Sequence, residues 1–194
     1  MIKKLSLLVA VLFIVTAIFS ADTPAVFAEG PLIPGSVAAK YDFENGSTQG
    51  WAPRGGVTIA SVSEEKNSGL SSLKTTGRTA NWNGPSANVK GILMKNATYT
   101  ISGYVKRSPG QTTPSTLKFS MEQKAVGAST AWITVGSQAI TGTDWTKISG
   151  TYSFTQDMDS QTLYVESSDA AEDFYIDDVT IKLDLPSSRS RVRP

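Results

Sequence analysis

The segment Tyr99-Thr-Ile-Ser-Gly-Tyr-Val105 alternates residues that favour burial with residues that favour water. Side chains of a β-strand point alternately to opposite faces, so this pattern predicts a strand with one buried face. The alternation recurs along the chain, with Gly-containing turns between the runs, and no useful length shows a helical period. The other alternating runs are 40–44, 57–62, 117–121, 132–135, 145–154, 162–166 and 173–183. We therefore predict an all-β fold, a single antiparallel β-sandwich of jelly-roll type with about eight to ten strands, over residues 36–184.

The N-terminal segment has the features of a secretory signal peptide. Lys3 and Lys4 precede a nearly unbroken apolar run over residues 5–19, and small residues precede a cleavage position after Ala28. The apolar run is short for a bilayer crossing. We predict that residues 1–28 are removed on secretion, with an uncleaved N-terminal anchor as the alternative.

The remaining ends carry no core-forming pattern. Residues 29–35 contain two prolines and two glycines, which predicts a flexible lead-in. Residues 185–194 are polar and bounded by proline, which predicts a disordered tail or a linker remnant.

The composition excludes several kinds of chemistry. The chain has no histidine and no cysteine, which removes the usual general base, the Ser-His and Cys-His pairs and the commonest zinc ligand. The formal net charge of +1 indicates neither nucleic acid nor an anionic membrane as a partner. Without disulfides, a secreted domain depends on core packing or on a bound metal ion.

Aromatic and long polar side chains outside the buried register are the candidates for function. Trp82 stands between two asparagines in a loop, and Arg54 stands in a glycine-bounded turn. Tyr164 and Glu166 share one face of a strand because they are two residues apart. Flat aromatic rings with a polar rim suit sugar rings. The alternatives are structural: an arginine that satisfies its own turn, a tryptophan that covers a sheet edge, and an ordinary cross-strand pair.

Two other tryptophans stand in register with apolar neighbours. This position predicts that Trp51 and Trp145 belong to the core.

Four segments together resemble the family 22 carbohydrate-binding modules of bacterial xylanases. These are YDFENGSTQGWAPRGGV (41–57), TGRTANWNGPS (76–86), WTKISGTYSF (145–154) and LYVESSDAAEDFYIDDVTI (163–181). The resemblance covers essentially the whole mature chain and keeps the order of the family's motifs. It implies a jelly-roll sandwich that binds xylan, and in some members mixed-linkage β-glucan, next to a xylanase catalytic domain.

The resemblance also implies a set of ligand-cleft residues. Those that match the family's pattern are Arg54, Trp82, Tyr164 and Glu166. The family usually has one more tyrosine in the strand that here reads KFSMEQK (118–124), where Gln123 occupies or neighbours its place. Trp132 in the following strand could offset the lost ring.

Acidic residues near both ends of the domain predict a metal site. Asp42 and Glu44 lie near the first strand, and Asp177 with Asp178 lies in the last; first and last strands are commonly neighbours in a jelly roll. Hard oxygen ligands suit calcium, and the resemblance also implies a structural Ca²⁺. The best side-chain ligands are Glu44 and Asp178, with backbone carbonyls from residues 66–68. Exposed acidic strand faces are the alternative.

Three classes of function remain open at this point. The first is a non-catalytic binding module, the binding part of an endo-1,4-β-xylanase that acts as a monomer with an attached or partner catalytic domain. The second is a small glycoside hydrolase, which would pair Glu166 with Glu122 or Asp173. The third is a domain that stabilises a neighbouring enzyme without contacting sugar.

Overall fold

The computed structural model describes residue 33, residues 35–111 and residues 113–184. The predicted signal peptide and C-terminal tail lie outside the described residues, as does most of the predicted lead-in. In the described part of the chain, no helix has the length and apolar character that a bilayer crossing requires. The strands there are β1 (Val37–Tyr41), β2 (Trp51–Arg54), β3 (Thr58–Val62), β4 (Ser72–Thr76), β5 (Gly84–Asn88), β6 (Thr98–Arg107), β7 (Ser115–Ala125), β8 (Thr130–Ile140), β9 (Thr146–Ser153), β10 (Met158–Ser167) and β11 (Phe174–Leu183).

The strands form two antiparallel sheets. One has the order β3-β4-β11-β6-β9, and β1 also pairs with β11; the other has the order β2-β5-β10-β7-β8. Strand β4 pairs with residues 174–176 of β11 and β1 with residues 179–182, so the two short strands share one edge. The predicted all-β sandwich of jelly-roll type is confirmed.

The described residues contain eleven strands, so the prediction of eight to ten was too low. The alternating pattern missed three short strands: β2, β4 and β5. Two of them contain proline, which is uncommon inside strands, and β4 and β5 are rich in small or hydroxylated residues. Pairing with longer neighbours, rather than their own sequence, places these strands in the sheets.

The core lies between the inner faces of the two sheets. Gly103, at an inward position of β6, leaves room for a facing aromatic ring, because a Cβ there would stand 2.8 Å from Cζ of Phe119. The alternation that predicted the strands therefore also sets the packing between the sheets. The strand side chains that are under 2 % exposed in this core include Tyr99, Ile101, Val105, Leu117, Phe119, Met121, Leu163, Val165, Ile176 and Ile181.

The two tryptophans assigned to the core have different outcomes. Trp51 is 3 % exposed and meets Tyr41 edge to face, with ring centroids 5.6 Å apart, as predicted. Trp145 lies just before β9 and is only half-buried, so its assignment to the core was wrong. It ends the β8–β9 turn instead of taking an inward position in the strand, because β9 begins one residue later.

Candidate functional site

The candidate site is the outer face of the five-stranded sheet, the face that points away from the core. On β10, Leu163 and Val165 point into the core, so Tyr164 and Glu166 point outward. Tyr164 lies opposite Ser120 of β7 and Glu166 lies opposite Lys118. The predicted common face of Tyr164 and Glu166 is thus the side of the sheet that faces away from the other sheet.

Arg54 extends from β2 across this outer face. Its guanidinium carbon lies 4.2 Å from the centroid of the Tyr164 ring and 5.7 Å from that of Trp82. Its Nη1 lies 2.7 Å from Oε2 of Glu122 on β7. Strands β2 and β7 are three strand spacings apart, about 14 Å in a flat sheet. Arg54 is thus the last residue of β2 and not part of a turn as predicted, and its ion pair connects β2 with β7 across the face.

Trp82 lies in the loop between β4 and β5 and is 50 % exposed. It stands near the arginine, so the structure brings together Trp82, Arg54 and Tyr164 as predicted. Half of the indole surface is accessible, which leaves a flat apolar surface beside charged groups.

The buried side chain of Arg78, which is 4 % exposed, holds the loop of Trp82 in place. Its guanidinium donates hydrogen bonds to six backbone carbonyls, three in the Trp82 loop and three around the segment after β10. The acceptors are Asn83 (2.8 Å), Asn81 (2.9 Å), Ala80 (3.3 Å), Asp169 (2.6 Å), Glu172 (2.7 Å) and Ser167 (3.4 Å). Burial lowers the pKa of Arg78 from its ordinary value, yet an arginine remains charged at neutral pH. This residue fixes the backbone that presents Trp82.

Close packing between the Arg54 turn and the Trp82 loop makes Gly55 sensitive to substitution. Gly55 has a φ of +78°, and a Cβ there would stand 2.0 Å from Nδ2 of Asn83 and 3.1 Å from Cζ3 of Trp82. We expect Gly55→Ala to lower the free energy of unfolding by about 1–3 kcal/mol, measured by urea denaturation. Gly56→Ala is the matched control, because nothing lies within 4 Å of its Cβ position. Equal stability of the two variants would contradict this packing.

Tyr164 does not offer its ring to solvent, contrary to the prediction of a stacking platform. It is 3 % exposed because the Arg54 guanidinium covers the ring from the outer side. Burial also raises the pKa of its hydroxyl. The ring instead supports Arg54 through a cation–π contact.

Glu166 lies on the same face and is 9 % exposed. Its Oε1 accepts a hydrogen bond from Oγ of Ser120 at 2.7 Å and lies 3.1 Å from Nζ of Lys118. The carboxylate is therefore fixed in place beside Tyr164, and its Oε2, which neither of these contacts uses, can accept a hydrogen bond.

Gln123 does not reach the outer face, so its predicted place in the ligand cleft was wrong. Its Oε1 accepts a hydrogen bond from the Tyr152 hydroxyl, which also accepts one from Nε2 of Gln161. Gln123 lies two residues after the buried Met121 and so points to the inner face. The outward residue at this point of β7 is Glu122.

Trp132 of β8 lies directly opposite Glu122 and is 62 % exposed. Its Nε1 donates a hydrogen bond to Oε2 of Glu122 at 3.0 Å. The structure therefore places Trp132 on the same outer face as Glu122 and Arg54.

Glu44 and Asp178, the best predicted side-chain ligands, both contact one loop, residues 67–71, whereas Asp42 pairs with Lys40 and Gln49 instead. Glu44 accepts hydrogen bonds from the amides of Leu70 (2.9 Å) and Ser71 (3.0 Å) through Oε1. Asp178 Oδ2 accepts from Nδ2 of Asn67 and Oγ of Ser68, both at 2.8 Å. The predicted meeting of the two chain ends is thus present.

Two further features concern the same loop. Asp177 is 0 % exposed, and burial raises the pKa of its carboxyl to about 6 although backbone amides, including Asn67 and Ser68, donate to it. Among the described residues, no three acidic, histidine or cysteine side chains cluster as a metal site. A metal here would therefore depend on carbonyl, hydroxyl and amide oxygens as well as carboxylates.

Sequence reasoning missed three groups of this site. Arg78, Ser120 and Lys118 fix the loop of Trp82 and the carboxylate of Glu166. The sequence suggested Glu122 only as a catalytic partner of Glu166, not as a residue that binds Arg54 and Trp132. The alternation in KFSMEQK (118–124) could have identified the three residues of β7. Lys118, Ser120 and Glu122 share one face of the strand, and Phe119, Met121 and Gln123 share the other.

Comparison with known families decides what this fold and site belong to. A family model described as "Carbohydrate binding domain" matches residues 35–172. The chain belongs to this carbohydrate binding domain family. The solved CBM22-1 xylan-binding domain from Paenibacillus barcinonensis is 37% identical, with a TM-score of 0.76, over 80% of this chain and 100% of that chain. The predicted resemblance to family 22 is thereby confirmed for this carbohydrate binding domain.

Longer relatives place the carbohydrate binding domain within enzymes. Endo-1,4-beta-xylanase C of Paenibacillus barcinonensis is 39% identical over 150 residues, 77% of this chain. Endo-1,4-beta-xylanase A of Thermoanaerobacterium saccharolyticum is 35% identical over 162 residues, 82% of this chain. The chain spans 14% of the length of each. What it matches is the non-catalytic carbohydrate-binding portion of these xylanases.

Proposed function

We propose that this protein binds xylan through the outer face of the five-stranded sheet and directs an attached or partner xylanase to that substrate. The observation that carries the proposal is the half-exposed indole of Trp82 beside a row of fixed charged groups on one face. Exposed aromatic rings bind the C–H faces of pyranose rings, and fixed polar groups bind the hydroxyls. The relatives' identity as xylanases supports the choice of polysaccharide.

The charge pattern of the face favours an uncharged polysaccharide. Arg54 pairs with Glu122 at 2.7 Å, and Lys118 pairs with Glu166 at 3.1 Å. Each charge already has an opposite partner, so the face presents hydrogen-bonding groups with little net field. A charged polysaccharide would lose hydration on this surface without gaining an unpaired charge of opposite sign. A neutral chain of xylose, or a mixed-linkage β-glucan, does not carry that cost.

The carboxylates of the face do not suit glycoside hydrolysis. Glu122 lies opposite Thr162, four residues along β10 from Glu166, so the backbone positions of the two glutamates are about 13 Å apart along the strands. This backbone spacing is wider than the roughly 5 to 10 Å that separates the carboxyl groups of a catalytic pair. The third candidate, Asp173, accepts the amide hydrogen of Gly77 at 3.0 Å. Binding without hydrolysis is the function that this arrangement supports best.

Affinity electrophoresis tests the proposal directly. We expect the purified protein to be retarded in native gels that contain soluble xylan, and less in gels that contain mixed-linkage β-glucan. Calorimetry with xylohexaose should give a dissociation constant of about micromolar to millimolar, because ordering a flexible chain opposes the contacts. Migration unchanged by xylan would refute the proposal, and release of reducing sugar would favour the hydrolase.

We propose that the protein is secreted, with residues 1–28 as the signal peptide. The positively charged start and the following apolar run support this, as does the identity of the relatives as polysaccharide-degrading enzymes. N-terminal sequencing of the protein from a culture supernatant should begin at Glu29. A product that retains the apolar run and stays with the membrane would indicate the anchor instead.

We propose that Ca²⁺ stabilises the loop at residues 67–71. Glu44 and Asp178 would hold it together with oxygens of the loop, where Asn67 and Ser68 already contact Asp178. The donor set consists of hard oxygens, which calcium prefers over nitrogen or sulfur. Such an ion would join the first and last strands of a chain that has no disulfide.

Removal of calcium should lower the unfolding temperature. At about one hundred times the dissociation constant, a bound ion stabilises by about 2.7 kcal/mol, which is roughly 5–10 °C for a domain of this size. We expect EDTA to cause this shift in the parent, measured by calorimetry, and to cause little shift in Asp178→Asn. Equal unfolding temperatures of the parent with EDTA and with excess calcium would exclude the ion.

A further inference from the structure

The carboxylate of Glu122 contacts two side chains of the outer face at once. Its Oε2 lies 2.7 Å from Nη1 of Arg54 and 3.0 Å from Nε1 of Trp132. Along the sheet, Glu122 lies opposite Thr162 on one side and Trp132 on the other. One oxygen atom thus receives two donors that come from strands on either side of β7.

Trp132 is held by this hydrogen bond more than by burial. It lies on β8, the edge strand of the sheet, and 62 % of its surface is exposed. A tryptophan in such a position would otherwise sample several rotamers, and immobilising a side chain on binding costs about 0.5–1.5 kcal/mol. A hydrogen bond that fixes the indole before the ligand arrives removes part of that cost.

Arg54 is held by the same carboxylate from the other side. Its guanidinium lies over the buried Tyr164 ring at 4.2 Å and near Trp82 at 5.7 Å. The contacts therefore form a continuous series, Trp82 to Arg54 to Glu122 to Trp132, in which the longest step is 5.7 Å. The series crosses the outer face from the β4–β5 loop to the β8 edge.

We infer that Trp132 is a second sugar-stacking position and that Glu122 is its positioning residue. This inference rests on the proposed function. The ligand class is an uncharged β-linked pyranose chain long enough to contact Trp82 and Trp132 together. A carboxylate suits this role because both donors need an acceptor and one of them is a cation. A glutamine would lose the ion pair with Arg54 and would offer the indole N–H a weaker, uncharged acceptor.

The inference predicts a dependence on chain length. We compare xylotriose with xylohexaose by calorimetry, for the parent, Trp132→Ala, Glu122→Gln and the double variant. Trp132→Ala should reduce the ratio of hexaose to triose affinity about tenfold, equivalent to about 1.4 kcal/mol. Glu122→Gln should reduce the same ratio when Trp132 is present and should not reduce it further when Trp132 is already alanine.

A measurement without sugar tests the positioning role separately. We expect the indole N–H resonance of Trp132 in a ¹H–¹⁵N spectrum to shift in Glu122→Gln, while the unfolding temperature stays close to that of the parent. Lys124→Gln is the matched control, because Lys124 is the next outward residue of β7 and its contact to Asp159 is longer, at 3.7 Å. The control should change neither the resonance nor the length dependence.

The outcomes separate this inference from the function on which it rests. If the parent binds xylohexaose and the length dependence survives Trp132→Ala, the second stacking position is refuted and xylan binding stands. If Glu122→Gln lowers the affinities for xylotriose and xylohexaose equally, the carboxylate positions Arg54 alone, and its role in positioning Trp132 is refuted. If the parent binds no oligosaccharide, the proposed function and this inference both fail.

Discussion

Trp82→Ala should abolish measurable retardation in xylan gels and lower the affinity for xylohexaose tenfold or more, about 1.4 kcal/mol at least. The indole is half exposed beside Arg54 and presents the flat apolar surface on which a sugar ring can lie. A few aromatic residues usually supply most of the energy of such a contact. Because half of the ring already faces water, the unfolding temperature should fall by only a few degrees.

The control for this variant is Met94→Ala. Met94 is 53 % exposed, close to the value of Trp82, and lies in the β5–β6 connection, outside the five-stranded sheet's outer face. The Met94→Ala variant should be retarded in xylan-containing gels to the same extent as the parent. If Trp82→Ala also migrates as the parent does, Trp82 has no part in binding and the site must be sought elsewhere on the protein.

Arg78→Met should have the largest effect on folding. The guanidinium donates to six backbone carbonyls from two loops and is 4 % exposed, so its loss leaves several buried acceptors without partners. Each unsatisfied buried group costs about 1–3 kcal/mol, and water that enters the space left by the guanidinium relieves part of this cost. We expect a loss of about 3–5 kcal/mol in the free energy of unfolding, or roughly 10–20 °C in unfolding temperature.

Two comparison variants keep this prediction testable even if Arg78→Met fails to fold. Arg78→Lys retains the charge but not the planar fork, so it should lie between the parent and the methionine variant. Arg54→Met removes an arginine from the outer face, where 20 % of the side chain is exposed, and should weaken xylan binding with a much smaller loss of stability. Unfolding temperatures within a few degrees of the parent for both Arg78 variants would contradict the role of Arg78.

How far the sequence predicts this site depends on the kind of information each residue needs. The two-residue spacing correctly predicted that Tyr164 and Glu166 share a face, because side-chain alternation is a local property. Their exposure to solvent, in contrast, depends on residues that are distant in the sequence. Tyr164 is covered by Arg54 from β2, a strand that alternation did not detect. Gln123 is a different case, since its phase with Phe119 and Met121 is visible in the sequence and indicates the inner face.

Alternation and short contiguous motifs are enough to predict the sandwich, the family resemblance and the choice of Arg54 and Trp82 as candidate site residues. The tertiary structure alone decided that Glu122 joins Arg54 to Trp132 and that Arg78 holds the loop of Trp82. The physical reason is that those contacts connect strands and loops far apart in the chain. Which side chains meet there is set by the order and register of the strands, which no local pattern contains.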